Sequence, residues 1–440
     1  MAKKKMTLEE KLEEAIVKDA PYGVSENWIW VKLNGGFAGC LDKFRKPINS
    51  TERAKRIGEI PYYGATGQVG FIDDYLTNEN LVLVGEDGAP FFDVLKDKSY
   101  IIDGKAWVNN HAHILKSYYG LTGNKYLMYY LNVFNYNDYV NGTTRLKLTQ
   151  ASMNNIPVPL PPLKEQQRIV DKIESFFEKL DKAKELIEEA RDDFEKRKFS
   201  IIYKGISGDL TNNKSKMEFK NGISIPEDWK WIEFKNLGKL ERGRSKHRPR
   251  NDKCLFGGEY PFIQTGDIAN SDVYVIEHKQ TLSEFGLNQS KLFKKGTLCI
   301  TIAANIGDVA ILTYDCCFPD SVVGFTPNEN VESKYVFYFL TLIKRDLEHF
   351  APATAQKNIN LKILGDVEIP VPPLEQQQEI VRILDSLLEE ESQVEELTTL
   401  EDQIELIKKS ILAKAFRGQL GTNCKEDESA LELLKDILKE

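Results

Sequence analysis

The chain has 440 residues, 41% hydrophobic and 10% aromatic, enough for two to four folded domains of roughly 100–200 residues each. That length and composition exclude a disordered chain and a miniature disulfide scaffold, and the six cysteines (Cys40, Cys254, Cys299, Cys316, Cys317, Cys424) include no C-x-x-C pair. The formal charge of −8 opposes a nucleic-acid partner only until it is resolved by segment: residues 374–440 carry 8 Lys/Arg against 17 Asp/Glu, which leaves 51 against 50 elsewhere.

At the N-terminus, MAKKKMTLEEKLEE has no apolar run like that of a secretory leader, and Thr7 and Glu10 fit a helix capping box. The most apolar window, YVFYFLTLI at 335–343, is too short to span a bilayer, so the expectation is a cytoplasmic chain with reduced thiols and no membrane partner. Next comes SENWIWVKL (25–33), whose Trp28 and Trp30 recur as Trp229 and Trp231 in PEDWKWIEF (226–234). The rest of the chain repeats likewise: IPYYGATG (60–67) with YPFIQTGD (260–267), NKYLMYYL (124–131) with SKYVFYFL (333–340), and IPVPLPPLKEQQRIV (156–170) with IPVPPLEQQQEIV (369–381). Offsets of about 199–213 residues throughout mark a tandem duplication.

Two basic runs, KFRKPINSTERAKR (43–56) and KLERGRSKHRPRNDK (239–253), each carry a net +5 and occupy the same place in the repeat. A solvated loop face is the usual meaning of such a run; its presence in both copies of a diverged duplication points to a shared role. After each run come short apolar or alternating segments with Gly and Asn turns (LVLVGEDGAP at 81–90, AWVNNHAHIL at 106–115, GTLCITIAANIGDVAIL at 296–312). Helix-like aromatic stretches follow at 124–134 and 333–347, giving an α+β domain in each copy.

Proline clusters (Pro157, Pro159, Pro161, Pro162; Pro370, Pro372, Pro373) then stop any helix from crossing, and a long helix begins after each. Ile169, Ile173, Phe176, Leu180, Ala183, Ile187, Ala190, Phe194 and Ile201 step as a heptad seam. So do Ile380, Leu384, Leu387, Glu391, Val394, Leu397, Leu400, Ile404, Ile407 and Ile411, with one residue missing between Val394 and Leu397. Connectivity makes the two helices antiparallel if their seams pair, with a pseudo-twofold between the α/β-mixed domains that this two-helix coiled coil separates. The tail SALELLKDILKE, where Ser429 and Glu432 fit another capping box, would then meet the N-terminal segment beside domain one. The expected divisions are 1–24, 25–160, 161–210, 211–372, 373–420 and 421–440. The Ile169–Ile201 stretch spans roughly 50 Å, on the order of 15 base pairs of duplex.

Catalytic motifs are missing: there is no phosphate-binding loop, dinucleotide fingerprint, H-E-x-x-H or methyltransferase N-P-P-[YF], and no spaced Cys/His cluster to support a metal. Asp320, Glu332 and Lys334 fit a loose nuclease spacing that would need Mg²⁺, but the first repeat has Gly123 in place of Glu332. A coiled-coil scaffold with two protein-binding heads is the third alternative.

The doubled layout, the I-P-V-P…E-Q-Q-like opening of each long helix, the GEDG of LVLVGEDGAP and QKNINLKILGDVEIPVPP (356–373) resemble the specificity subunits of type I restriction-modification systems over nearly the whole chain. The resemblance implies two target-recognition domains, each reading half of a bipartite, asymmetric site in double-stranded DNA, and a chain that is itself non-catalytic. Its implied partners are two adenine-methyltransferase subunits and restriction/translocase subunits, which bring S-adenosylmethionine, ATP and Mg²⁺; none is bound by this chain. Candidate DNA contacts in domain one are Lys43, Arg45, Lys46, Arg53, Lys55 and Arg56, then Tyr63, Thr66 and Gly67, the Glu86–Asp87 loop, Asn109, Asn110 and His111, and Arg145 and Lys147. In domain two they are Arg242, Arg244, Lys246, Arg248 and Arg250, then Gln264, Thr265 and Gly266, the Ala304–Asn305 loop, and Gln356 and Lys357. For the loop residues a plain turn role competes with base contact.

Overall fold

The computed structural model describes residues 6–211, 216–350, 359–392, 400–420 and 423–439. It divides into two compact units, Met1–Glu188 with Thr399–Glu440, and Glu189–Thr398. Both are α+β, as expected.

The first unit is organised around a strand with no exposed face. All five residues of Leu81–Gly85 are buried: Val82 and Val84 enter the core that includes the helices, while Leu81 and Leu83 enter a second core between sheets. The period-2 alternation of a strand therefore feeds two apolar layers, and an uninterrupted V/L run results. Its sheet has the order Ala38–Cys40, Ala112–Ser117, Leu81–Gly85, Ser99–Ile102, all antiparallel. A second sheet holds the hairpin Ile60–Gly64/Gly67–Ile72, with Ile60–Gly64 parallel to Lys105–Val108. The Trp-x-Trp segment forms a strand, Ile29–Lys32, antiparallel to the proline-rich Pro157–Leu160, and Trp30 faces Pro159. Proline is tolerated in this two-stranded ribbon because edge positions do not need every N–H. Two carbonyls of the ribbon are taken by tyrosines of the helix Gly120–Leu131: Tyr126 donates to Pro159 O at 2.9 Å and Tyr130 to Pro157 O at 2.5 Å.

The second unit repeats this plan. Gly238–Arg242, Val322–Pro327, Leu298–Thr301 and Val309–Leu312 make the antiparallel sheet, extended by Tyr274–Val275. Phe256–Phe262 lies parallel to Cys316–Cys317 in the other sheet. Lys230–Glu233 pairs with Glu368–Val371, placing Trp231 opposite Pro370, whose carbonyl accepts from Tyr335 at 2.7 Å. One departure is instructive. The tight hairpin of unit one is replaced by a longer link containing a helix, Thr265–Ala269, and the added strand Tyr274–Val275. The sequence-matched Thr66 and Thr265 therefore stand in a hairpin turn and in the first turn of a helix.

The aromatic stretches are helices with shifted bounds. The first is Gly120–Leu131, ending because Asn132 turns its amide into the sheet edge, where Oδ1 accepts from Lys98 N at 2.7 Å and Ser99 N at 2.9 Å. The second divides into Ser333–Leu342 and Lys344–Phe350.

A 44-residue helix, Leu163–Ile206, starts directly after Pro161 and Pro162. The glutamines of its opening motif are structural. Buried Gln166 donates to Pro161 O at 3.1 Å, and Gln377, opening the helix Leu374–Ser392, donates to Pro372 O at 2.8 Å. Buried side-chain amides thus satisfy carbonyls that lie just past the strands Pro157–Leu160 and Glu368–Val371, where no ladder continues.

Within the first unit the long helix packs antiparallel to Leu400–Phe416: Lys172 donates to Leu420 O at 2.8 Å, whereas Asp181, further on, pairs with Lys408 at 2.5 Å. Within the second unit Ile202 and Ile206 share a core with Ile380 and Leu384, and Gly205 is where the backbone comes close: a Cβ there would lie 3.0 Å from Leu384. The seam is followed with a correction. Ile169, Ile173 and Phe194 are buried, but Phe176 is exposed and Phe177 faces inward, with Lys408 over its ring at 5.5 Å. Near the units the helix keeps its 3.6-residue period instead of the 3.5 of a heptad. Val394 and Leu397, and the missing residue between them, lie outside the described residues.

The N-terminal and C-terminal helices meet in unit one, as expected if the seams pair: Leu8–Ala15 packs on Ala430–Lys439, and Lys11 Nζ donates to Leu438 O at 2.5 Å. The Thr7/Glu10 capping box forms in full. The second box does not. Ser429 Oγ accepts from Leu431 N at 3.2 Å, and Glu432 pairs with Lys435 at 2.6 Å, because an i,i+3 lysine competes for the carboxylate. The six cysteines are free thiols.

Candidate nucleic-acid interface

In unit one the basic run leaves the strand Ala38–Cys40, makes a 3₁₀ turn at Asp42–Phe44, and ends in the short helix Ser50–Arg53, which Asn49 caps by accepting from Glu52 N at 2.8 Å. Aromatic rings of the second sheet receive its cations: Arg53 lies 5.1 Å from the Tyr62 ring centre, and Arg56 and Lys46 lie 4.5 Å and 5.8 Å from that of Trp107. Cation–π contact holds the run against the sheet without removing its charge. Arg56 also pairs with Asp73 at 2.5 Å, and Lys43 stays local over Phe44 at 5.0 Å. Lys55 is exposed and has no ion-pair partner among the described residues.

Arg45 differs from its neighbours. Its side chain is only 16% exposed, pairs with Asp42 at 2.9 Å and with Glu86, and donates to Ala112 O at 3.1 Å. Its charge is used inside the protein. Beside it, fully buried His113 bonds Asp42 through Nδ1 at 2.6 Å and Leu148 O through Nε2 at 2.9 Å. Burial opposes ionisation of Asp42, but hydrogen bonding and charge from His113, the Ile114 N–H and Arg45 outweigh it and lower the carboxyl's pKa. Glu86 is likewise lowered: against burial stand hydrogen bonds from Arg45 and Lys147 and the charge of His113. Nothing in the sequence singled out Asp42 or His113.

Arg53, Asn109, Asn110 and His111 come together around one open cleft of about 280 Å³, bordered by Ile48, Tyr62 and Val69. Asn109 is buried and accepts from His111 N at 2.8 Å. His111 joins Asp87 at 2.6 Å, and Asp87 pairs with the exposed Arg145 at 3.0 Å, while Lys147 reaches Glu86 at 3.0 Å. Thr66 and Gly67, with φ +136°, form the tip of the hairpin that carries Tyr63.

In unit two the run from Arg242 to Lys253 has no helix before Lys253–Leu255 and is tied down by polar contacts. Arg242 donates to Asp320 O, and Arg250 pairs with the Asp320 carboxylate at 2.9 Å. Arg248 donates to Ser245 O at 2.7 Å and His247 O at 2.8 Å. Arg244 and Lys246 are exposed, anchored through their backbone N–H groups to Phe318 O at 3.2 Å and Gln289 O at 3.1 Å. Gln264 precedes the helix Thr265–Ala269 that contains Thr265 and Gly266, and donates to Gln280 Oε1 at 2.8 Å. Asn305 follows Ala304, whose φ is +51°, in the turn after Leu298–Thr301, and its carbonyl accepts from Thr301 Oγ1. Gln356 and Lys357 lie outside the described residues.

Both units assemble these parts on one equivalent segment that sequence patterning did not reveal. In unit one Val108–His111 bonds the basic run (Lys46 N to Val108 O, 3.0 Å), the hairpin strand (Asn109 N to Tyr63 O, 3.1 Å) and the acidic turn (Glu86 N to His111 O, 2.7 Å). In unit two Cys317–Ser321 bonds Arg244 N through Phe318 O at 3.2 Å, Ile263 N through Cys317 O at 3.0 Å, and Ile302 N through Ser321 O at 2.9 Å. The positive runs and the loops beside them thus hang from a common backbone support in each repeat. The nuclease candidates are not assembled. Asp320 anchors Arg242 and Arg250, Glu332 caps the helix Ser333–Leu342, and Lys334 pairs with Asp385 at 2.7 Å.

Comparison with known proteins gives one consistent result. The family described as type I restriction modification DNA specificity domain matches residues 35–191 and 226–406, one match per repeat. A Haemophilus influenzae protein provisionally named a type I restriction enzyme specificity subunit is 29% identical over 355 residues, covering 79% of this chain and 84% of its own. The EcoDI specificity subunit of Escherichia coli is 24% identical, covering 82% and 83%. Among solved structures, one from work on complex assembly of the type I R-M system aligns with TM-score 0.66 at 20% identity, covering 91% of this chain and 100% of the other. The HsdS subunit from Thermoanaerobacter tengcongensis aligns with TM-score 0.50 at 19% identity, covering 92% and 100%. These structures share the fold.

Proposed function

Because this chain belongs to the type I restriction modification DNA specificity domain family, we propose that it is the non-catalytic specificity subunit of such a system, reading one half of a bipartite, asymmetric duplex site with each repeat. The observation that carries this reading is the duplicated support. Each unit ties a basic run, a hairpin or helix turn and a polar loop to the same backbone segment. Cations on the runs suit phosphate, and amide, hydroxyl and imidazole groups such as Asn110, Thr66, His111 and Gln264 suit base edges. The two units differ where Thr66 and Thr265 stand, in a hairpin turn and in a helix, so the half-sites would differ in sequence.

In the same reading the long helices and the acidic segment 374–440 receive methyltransferase and restriction/translocase subunits, which supply S-adenosylmethionine, ATP and Mg²⁺. Among the described residues no helix is long and apolar enough to cross a membrane. The test is to map methylated adenines in DNA from cells carrying this chain with its methyltransferase partner. A split motif with a fixed gap supports the reading; a continuous motif, or none, refutes it.

A further inference from the structure

The basic run of unit two and the cysteine directly after it carry three side chains that the proposed DNA role does not use. We propose that His247, Asp252 and Cys254 are the protein ligands of a zinc-class divalent cation that closes this loop. One ligand atom from each of the three lies within 4.8 Å of the others, and among the described residues this is the one such group of three His, Cys or acidic ligands. In a tetrahedral zinc site, bond lengths near 2.0–2.3 Å put ligand atoms roughly 3.3–3.8 Å apart, so a shift of about 1 Å completes the geometry. The donor set of imidazole, carboxylate and thiolate suits a borderline-soft ion and leaves a fourth position for water.

The ligands are already aimed. His247 Nε2 lies 3.0 Å from Asp252 Oδ2, and its ring stands edge-on to Phe285 at 5.4 Å. Asp252 is fixed as the cap of Lys253–Leu255, with Oδ1 accepting from Cys254 N at 3.2 Å. Cys254 is held from behind, its carbonyl accepting from Ser283 Oγ at 2.6 Å. Without an ion, Cys254 is a free cysteine, and metal binding requires release of its S–H proton. On binding, that proton leaves to solvent as the S–metal bond forms.

The site also meets a structural need. The corresponding run of unit one is organised by the helix Ser50–Arg53 and by stacking on Tyr62 and Trp107, whereas residues 243–252 have no regular structure. A metal joining position 247 to positions 252 and 254 closes the short loop that carries Arg248 and Arg250. Replacing the thiol proton with a dication also raises the local charge by one, which favours a polyanion. The spacing H-x4-D-x-C matches no standard zinc pattern, so sequence inspection passes over it.

The test uses the full chain, stripped with a chelator and titrated with Co²⁺, then Zn²⁺. One equivalent of Co²⁺ should bind with a near-ultraviolet thiolate-to-cobalt charge-transfer band that Zn²⁺ displaces. Cys254→Ser should lose the band and His247→Ala should weaken binding at least tenfold, both with wild-type far-ultraviolet dichroism because these side chains are surface-accessible. Zn²⁺ should also slow tryptic cleavage after Arg250 and Lys253 several-fold in wild type and leave Cys254→Ser unaffected. Absence of the band, its survival in Cys254→Ser through another thiol, or cleavage insensitive to Zn²⁺ overturns the proposal; the three side chains then only share hydrogen bonds.

Discussion

Replacing Arg244 and Lys246 together with alanine separates a DNA-facing role from a structural one. Both side chains are exposed, and both residues are anchored by backbone N–H groups that alanine keeps, to Phe318 O at 3.2 Å and Gln289 O at 3.1 Å. Stability should therefore stay within about 0.5 kcal/mol of wild type. If each cation neutralises one phosphate, each contributes about 0.9 to the slope of log K against log salt, so the double variant's slope falls by roughly 1.8. Between 50 and 200 mM salt, wild type should lose about 12-fold more affinity than the variant. Fluorescence anisotropy on a duplex across that range, with urea unfolding in parallel, measures both quantities. An unchanged slope with reduced affinity would show that these residues do not face phosphate and would sink the assignment. Arg45→Ala is the matched control: losing partners at Asp42 and Glu86, whose side chains are 8% and 14% exposed, should cost about 2–4 kcal/mol of stability.

Three further outcomes are expected. Gly243→Ala places a Cβ 2.2 Å from Pro319 O and 2.5 Å from Phe318 O, so it should cost about 1–3 kcal/mol and weaken duplex binding by displacing the loop; wild-type stability in urea would contradict the packing described. Asp42 and Glu86 have pKa values lowered by folding, so their contribution is present above the ordinary carboxylate range and is lost as pH falls below about 4. The urea midpoint should then drop less steeply over that acid range in Asp42→Asn/Glu86→Gln than in wild type, and an identical acid limb refutes the linkage. Exchanging residues 25–155 for those of another family member should change one half of the methylated motif and leave the other; a change in both halves, or in neither, refutes the modular assignment.

Local pattern carried far where partners are set by spacing. The Trp30–Pro159 and Trp231–Pro370 pairings follow from matching two repeats, because a two-stranded ribbon preserves register when its ends are copied. Phe176 and Phe177 show the limit: periodicity identified the helix, but which phenylalanine turns inward depended on Tyr129, 5.7 Å from Phe177, and on Lys408. Matching Thr66 to Thr265 failed for a related reason. An inserted helix changes the local structure while leaving a few residue letters alike.

By itself the sequence determined the duplication, the α+β class, the proline stops, the long helix Leu163–Ile206, the capping box at Thr7 and the placement of charge, all of which are written in neighbours or in fixed periods. Only the tertiary structure decided which cations are available. Arg45 and Arg250 are paired with acids distant in sequence, at positions 86 and 320, while Arg244 and Lys246 face solvent. It also decided that Val108–His111 and Cys317–Ser321 support the recognition loops, since backbone hydrogen bonds between remote segments leave no trace in side-chain identity.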